Sequence, residues 1–450
     1  MQYIASTLCA ILILVLFRLD RESQRRTSVA LWAPVTWLLI AGSRNVGEWL
    51  QLGEQTNAVD RYMEGNAIDR NILSVLMLCG LITLLRRRQH VGSMLRENTP
   101  LMAYFLYCGV SLLWSDYAFV GTKRWFRSLG DVIMVLVILT ESDWHKTVKW
   151  VLSHMAFVLL PVSVLLIRYY PDLGRAYGID GSSYSTGVTT GKNSLGMICL
   201  VFGLACLWTC LDLYQAKGCK TRSRRLTAHA IVVCIAIYLL WISDSKTSLM
   251  CFVMVSSLIG VTYCAPWAQR TAVLRVTMIA TVSVCFAVLF LGIGSGALEA
   301  IGRNSTLTGR TDVWKVVLQY VTHPMIGAGY ESFWMGSRLA TIRASNAGVN
   351  QAHNGYIEIY LNLGWIGVGL FAVLLINGYR KVMDAFRCDP KVGRIRVAYF
   401  VVAVMYNFTE GTFKMMSPVW ISFLLAIMPR SRVQHQENPT PTLTADEGPT

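Results

Sequence analysis

The sequence predicts an all-α polytopic membrane protein, and three observations carry that expectation. Of 450 residues, 54% are hydrophobic and only 15% charged, against about 25% charged in soluble domains. Mean hydropathy is +0.45. The apolar residues recur in runs of roughly 15–22, the length that crosses a bilayer as a helix. They do not alternate over about ten residues, as the strands of an outer-membrane barrel would.

The net charge of +15 reads as topology. Of the 41 basic residues, 25 fall in seven short segments between or after spans, at 18–28, 86–97, 141–149, 214–226, 266–275, 379–396 and 429–433. The positive-inside rule makes these segments cytoplasmic. A nucleic-acid partner is not expected, because no basic face is assembled. The 12 cysteines lie in apolar runs or in loops read as cytoplasmic. They are expected as small buried residues, with no disulfide and no metal site.

Twelve or thirteen spans follow in order. Met1 to Phe17 is apolar with its charges behind it, unlike a signal peptide, so it is a first span with an outer N-terminus. Spans follow at about 29–43, 71–85, 100–114, 125–140, 148–167, 194–213, 228–243, 248–264, 276–293, 356–378, 397–410 and 418–429. The acidic loop 44–70, with Glu48, Glu54, Asp60, Glu64 and Asp69, faces out. A large outer loop, about 295–355, separates the tenth and eleventh spans. Within it Asp312 to Val321 has helical spacing of Val313, Val316, Val317 and Tyr320. It is expected as an amphipathic helix on the membrane surface, capped by Thr311, with Asp312 at its positive end and Pro324 ending it. Residues 1–429 form one membrane domain. Residues 430–450, rich in Thr, Pro, Gln and Glu, form a disordered cytoplasmic tail.

Ionisable residues gather at the outer helix ends: Arg124, Arg127, Arg175, Lys192, Lys246, Arg310, His353 and Glu410. Charges at membrane depth are costly and mark function. For Arg124, Arg127 and Arg175, snorkelling or surface pairing is an equal alternative. Lys192, Lys246 and Arg310 sit among small polar residues (TTGKNSLG, SDSKTS, LTGRTD), where backbone N–H groups and a cation can meet one anion. His353 opens the eleventh span; a lone histidine at a helix start is more often structural than catalytic, and the other reading is that it accepts a proton from a sugar hydroxyl. Asn354 either orients a hydroxyl or caps the helix, and Tyr356 follows on the same side. His323 reads as structural. Glu358, five residues on from His353, lies about 140° around a helix from it. No metal-ligand spacing, Gly-Lys-Ser/Thr phosphate loop or nucleophile elbow is present. A basic, His-bearing outer pocket without metal ligands suits an anionic, lipid-linked substrate whose diphosphate leaving group is neutralised by cations.

These residues resemble the O-antigen ligase/polymerase superfamily, and within it the exopolysaccharide production proteins. The motif is His-Asn, nine residues, Gly, two residues, Gly, read here as His353, Asn354, Gly364 and Gly367. GRTDVW, HPMIGAGYESF, TGKNSLG, WSDY near Trp114 and FTEGTF near Glu410 extend the likeness over roughly Leu101 to Met428. The resemblance implies an inverting, metal-independent glycosyltransferase of the GT-C class, without cofactor. It implies a multi-pass protein of the bacterial inner membrane with a periplasmic site.

The implied donor is a glycan on undecaprenyl diphosphate. His353 becomes the base or positioner for the acceptor hydroxyl, and Arg310 the diphosphate ligand. Lys246 stands where many members have a second arginine. The set Lys246, Lys192, Arg124, Arg127, Asn354, Tyr356 and Glu410 is then expected to bind diphosphate and glycan. The acceptor is a growing glycan chain or lipid A-core. The likeness of SDSKTS and NAIDRN favours polymerase over ligase. Chain-length regulators and export proteins join the bilayer as expected partners. A transporter or flippase is the alternative of another class, and it lacks the matching halves such proteins often show.

Overall fold

The computed structural model describes residues 1–21, 28–50, 66–178, 181–216, 221–290, 308–345 and 349–428. Expectations for 295–307, for Glu54, Asp60, Glu64 and Cys219, and for the tail from 430 lie outside the described residues.

The chain is a multi-pass helical bundle. Its main helices are α1 (Gln2–Asp20), α2 (Trp32–Ala41), α3 (Ala67–Arg86), α4 (Thr99–Val110), α5 (Ala118–Leu139), α6 (Trp144–Tyr169), α7 (Lys192–Gln215), α8 (Arg222–Ile242), α9 (Lys246–Cys264), α10 (Thr271–Phe290), α11 (Thr308–Gln319), α12 (Gly336–Ser345), α13 (Gly355–Cys388), α14 (Pro390–Tyr406) and α15 (Pro418–Ile427). Each expected apolar stretch falls on one of them. Seven are long and apolar enough to cross a bilayer: α1, α3, α6, α7, α8, α9 and α13. Helix α5 carries Lys123, Arg124, Arg127 and Asp131 along its length, α14 carries Lys391, Arg394 and Arg396 in its first two turns, and four other apolar helices are shorter.

Helix α7 is the centre. It packs against α6, α8, α9, α14 and α15, and it is the most buried of the seven long helices, whereas α1 is the least. This order follows from sequence. Both faces of α7 are apolar or small (LGMICLVFGLACLW), as a helix enclosed on all sides requires.

Several local expectations are corrected. The loop 379–396 collapses to Asp389, because α13 continues to Cys388 and α14 starts at Pro390. Arg394 and Arg396 are therefore buried helix residues, bonded to Thr262 and to the Met428 carbonyl. Helix α5 begins at Ala118, ahead of the span expected at about 125–140, so Arg124 and Arg127 lie inside it. The loop after α6 holds a two-stranded antiparallel hairpin, Arg175–Tyr177 with Ser183–Ser185. Helix α11 begins at Thr308, so Thr311 and Asp312 lie within it, and it ends at Gln319, before Pro324. Its Val313 and Val317 join Phe333, Trp334, Ile342, Ala352 and Leu361 in a small core of the outer loop. An apolar stripe that finds a protein partner has no need of the membrane surface.

Candidate active site

The motif glycines have a geometric explanation. Helix α13 is broken at Gly364, whose φ is 62° and ψ −166°. The break frees carbonyls and N–H groups, and the preceding loop takes them up. Trp365 N and Ile366 N donate to the Pro324 and Met325 carbonyls, at 2.9 and 3.1 Å. Ala328 N and Gly329 N donate to those of Leu361 and Asn362, at 3.1 and 2.8 Å. A Cβ on Gly364 would stand 2.4 Å from the Met325 carbonyl. HPMIGAGYESF and the second half of the motif are thus one backbone joint, which accounts for a glycine ten residues after Asn354.

The joint fixes the start of α13. Asn354 caps it, accepting from Tyr356 N and Ile357 N, and its Nδ2 donates to the Phe408 carbonyl at 3.0 Å. Gly355 N donates to the Asn407 carbonyl at 2.9 Å. Ala352 is held from two sides: its N–H donates to Glu358 Oε1 at 2.5 Å and its carbonyl accepts from Trp314 Nε1 at 2.7 Å. Between these anchors His353 takes a left-handed backbone, φ 50°. Because it precedes the cap, helical angles do not apply to it. Glu358 serves the backbone leading to it.

Glu410 is the hub. Its Oε1 accepts from Arg310 Nη2 at 2.9 Å and from Asn193 Nδ2 at 2.8 Å, and its Oε2 lies 3.4 Å from His353 Nδ1. Arg310 also donates through Nη1 to the Thr409 carbonyl. The carboxylate is 8% exposed, His353 33% and Arg310 26%. A buried carboxylate is stable only when paired, and here both oxygens are engaged. Gln351 Nε2 lies 3.3 Å from His353 Nδ1.

Lys192 and Lys246 open α7 and α9 and converge on Asp244. Lys246 Nζ lies 2.9 Å from its Oδ1 and Lys192 Nζ 3.6 Å from its Oδ2. Gly196 allows this approach, since a Cβ there would meet Ser248 Oγ at 2.5 Å. Burial raises the Asp244 carboxyl, but the hydrogen bond and charge of Lys246, then Lys192, outweigh it and hold it below the ordinary carboxylate value. Thr247 Oγ1 lies 2.8 Å from Thr409 Oγ1, so the lysine pair and the Glu410 segment are joined. A cleft of about 520 Å³ runs between Lys192, Asn193, Gln351, Glu410 and Lys414. A second, of about 250 Å³, shares Gln351, Gly411 and Lys414 with it and is lined by Trp334, Glu358 and Asn362.

The structure therefore gathers His353, Arg310, Glu410, Lys192, Lys246 and Asn354 around one segment. Tyr356 follows the cap, but its hydroxyl donates to the Val404 carbonyl at 3.0 Å. Arg124 donates to the Glu331 carbonyl at 2.6 Å, bracing the wall of the second cleft. Arg127 has Asp69 and Asp131 as its acidic neighbours and is not brought to Glu410 by any contact among the described residues. Arg175 donates to the Ile167 carbonyl. Sequence reasoning missed Asn193, Asp244 and Gln351. The first two lie in TGKNSLG and SDSKTS, next to the lysines it singled out, and nothing local marks Gln351.

Residues 230–372 match the family model described as O-antigen ligase. That stretch is similar to the O-antigen ligase family. It includes Lys246, Arg310, His353 and both motif glycines, whereas Lys192, Asn193 and Glu410 lie outside the matched residues. The chain is also 23% identical over 338 residues to the exopolysaccharide production protein ExoQ of Rhizobium meliloti (strain 1021), covering 72% of this chain and 74% of that protein. The resemblance read from the motifs is borne out on both counts. The matched stretch sits in a multi-pass helical membrane protein.

Proposed function

We propose that the protein is an inner-membrane glycosyltransferase that polymerises exopolysaccharide repeat units on the periplasmic side, drawing on undecaprenyl-diphosphate-linked glycan. The observation that carries this reading is the Glu410 carboxylate, which holds Arg310 and His353 together beside a cleft lined by Lys192 and Asn193. A donor with a diphosphate leaving group needs cations, and an acceptor hydroxyl needs a base, within hydrogen-bond reach of the reacting atoms.

The step is an inverting displacement. The acceptor oxygen attacks the anomeric carbon as the bond to the diphosphate oxygen breaks, and the lipid diphosphate leaves with the electron pair. The acceptor proton goes to His353 Nε2. Glu410 takes the hydrogen bond from Nδ1–H, which leaves the Nε2 lone pair facing outward, and it stabilises the imidazolium that forms. Arg310 and Lys246, with Lys192 beside them, take the negative charge that grows on the diphosphate. Asp244 holds the two lysines as one anion site until the diphosphate arrives. No metal has a part in this step. The second cleft, with Trp334 and amide side chains, suits an acceptor sugar, and Arg124 supports its wall. Asn354 acts through the backbone of His353, Tyr356 through packing under it, and Arg127 through the charge balance of α5.

The test supplies purified full-length protein with a lipid-diphosphate repeat unit and, separately, lipid A-core. Longer glycan on lipid diphosphate supports the polymerase. Transfer to lipid A-core makes it a ligase. Donor recovered chemically unchanged makes it a transporter and overturns the reading.

A further inference from the structure

A cavity of about 850 Å³ lies away from this site, among the ends of α1, α6, α7, α8 and α14. Along α7, Asn193 belongs to the candidate active site and Leu213 to this cavity. Twenty residues at about 1.5 Å each separate them by roughly 30 Å, the thickness of a hydrocarbon core. The cavity therefore sits at the opposite end of the bundle, among the basic segments, at headgroup depth.

Its charges are arranged unevenly. The two carboxylates in its wall are already committed. Asp20 pairs with Arg225 at 3.0 Å and with His229 Nε2 at 3.1 Å. Asp212 pairs with Lys149 and accepts from the Tyr263 hydroxyl. Around the mouth stand three exposed cations, Arg21, Lys146 and Lys391. Lys146 pairs with Asp143 at 2.7 Å on the exposed surface. Phe17, Trp32, Trp150 and His154 bring rings to the rest of the wall, beside Ser153, Thr209, Leu213 and Gln215. Trp32 packs edge-on against Trp150, with ring centroids 6.2 Å apart, and Trp32 is 57% exposed, so the aromatic wall continues onto the outer surface of the bundle.

We propose that this cavity binds the headgroup of an anionic phospholipid from the leaflet on the side of the basic segments. The phosphate meets Arg21, Lys146 and Lys391 at the mouth, and the glycerol and upper acyl chains lie along Trp32 and Trp150. Basic pockets between membrane helices take anionic headgroups in this way, and Trp is favoured where one end of a group is apolar and the other wet. A free inorganic anion would satisfy the cations and leave the aromatic wall without a role. The bound lipid ties together the inner ends of α1, α6, α7 and α14.

The experiment uses the full chain in mild detergent. Thermal unfolding is followed during titration with phosphatidylglycerol, phosphatidylcholine or inorganic phosphate, and native mass spectrometry identifies retained lipid. Phosphatidylglycerol is expected to be retained and to raise Tm saturably, and the other two are not. Arg21→Glu with Lys391→Glu should raise the half-saturating phosphatidylglycerol concentration by roughly tenfold or more, since each basic residue near the surface attracts anionic lipid. Arg387→Glu, an exposed cation outside the cavity, should leave it unchanged. Equal stabilisation by phosphatidylcholine, full stabilisation by phosphate alone, or an unshifted titration in the double variant overturns the proposal.

Discussion

Glu410 stands 3.4 Å from His353, carboxylate oxygen to Nδ1, across 57 residues of sequence. Because its other oxygen accepts from Arg310, one side chain sets the position of both the proposed base and the proposed diphosphate ligand. His353→Ala should lower turnover by about 10²–10⁴-fold, the range of general-base contributions, while lipid-donor binding stays near wild type. Glu410→Ala should also cripple transfer, and Glu410→Gln should retain part of it, since the amide keeps a hydrogen bond to Arg310. The assay is turnover of lipid-linked repeat units normalised to folded protein, with donor binding measured separately. Normal polymer synthesis by His353→Ala would refute its role.

Lys246 and Arg310 differ in what they can give up. Removal of either cation leaves charge growing on the diphosphate uncompensated, a loss of roughly 2–4 kcal/mol by analogy with an oxyanion donor. Lys246→Ala and Arg310→Ala should each show it. Lys246→Arg keeps the charge and should be tolerated. Arg310→Lys should do worse, because a guanidinium that reaches both the Thr409 carbonyl and Glu410 is replaced by a single ammonium. His323→Ala should retain most activity. An active Lys246→Ala would leave Lys192, its neighbour on Asp244, as the second phosphate cation.

Gly364→Ala should unfold the backbone joint. A φ of 62° with ψ −166° is open in practice to glycine alone and costs an L-residue about 1–3 kcal/mol, and a Cβ 2.4 Å from the Met325 carbonyl has backbone against it. Gly369→Ala, in the same helix with open space around its Cβ position, should be neutral or slightly stabilising. The readout is Tm together with transfer activity. Equal stability of the two variants would show that the motif glycine has another role.

Asp244 sets a pH dependence of known sign. Its carboxyl lies below the ordinary value, so the stability it contributes is fully present above about pH 4 and is lost as pH falls through the lower, folded value. The pair with Lys246 is largely solvent-exposed, which limits the contribution to about 1 kcal/mol or less. Tm of Asp244→Asn should run parallel to wild type from pH 5 to 8, slightly below it, and the two should converge under pH 4. Divergence on acidification would contradict this placement of the proton.

The sequence alone determined the class of fold, the place of nearly every membrane helix and the family likeness. It could do so because hydrophobic length, basic loops and the His353–Gly367 motif are local properties, read without knowing what touches what. It also marked Lys192, Lys246, Arg310 and His353, since charges among small residues at helix mouths stand out against apolar surroundings. Only the tertiary structure decided that Glu410 binds both Arg310 and His353, that Asp244 unites two lysines 54 residues apart, and that α11 turns its apolar face to Phe333 and Trp334 instead of the bilayer. Those relations depend on which helix ends meet. That is set by packing around α7 and by one broken helix at Gly364, and neither leaves a periodic trace in the sequence.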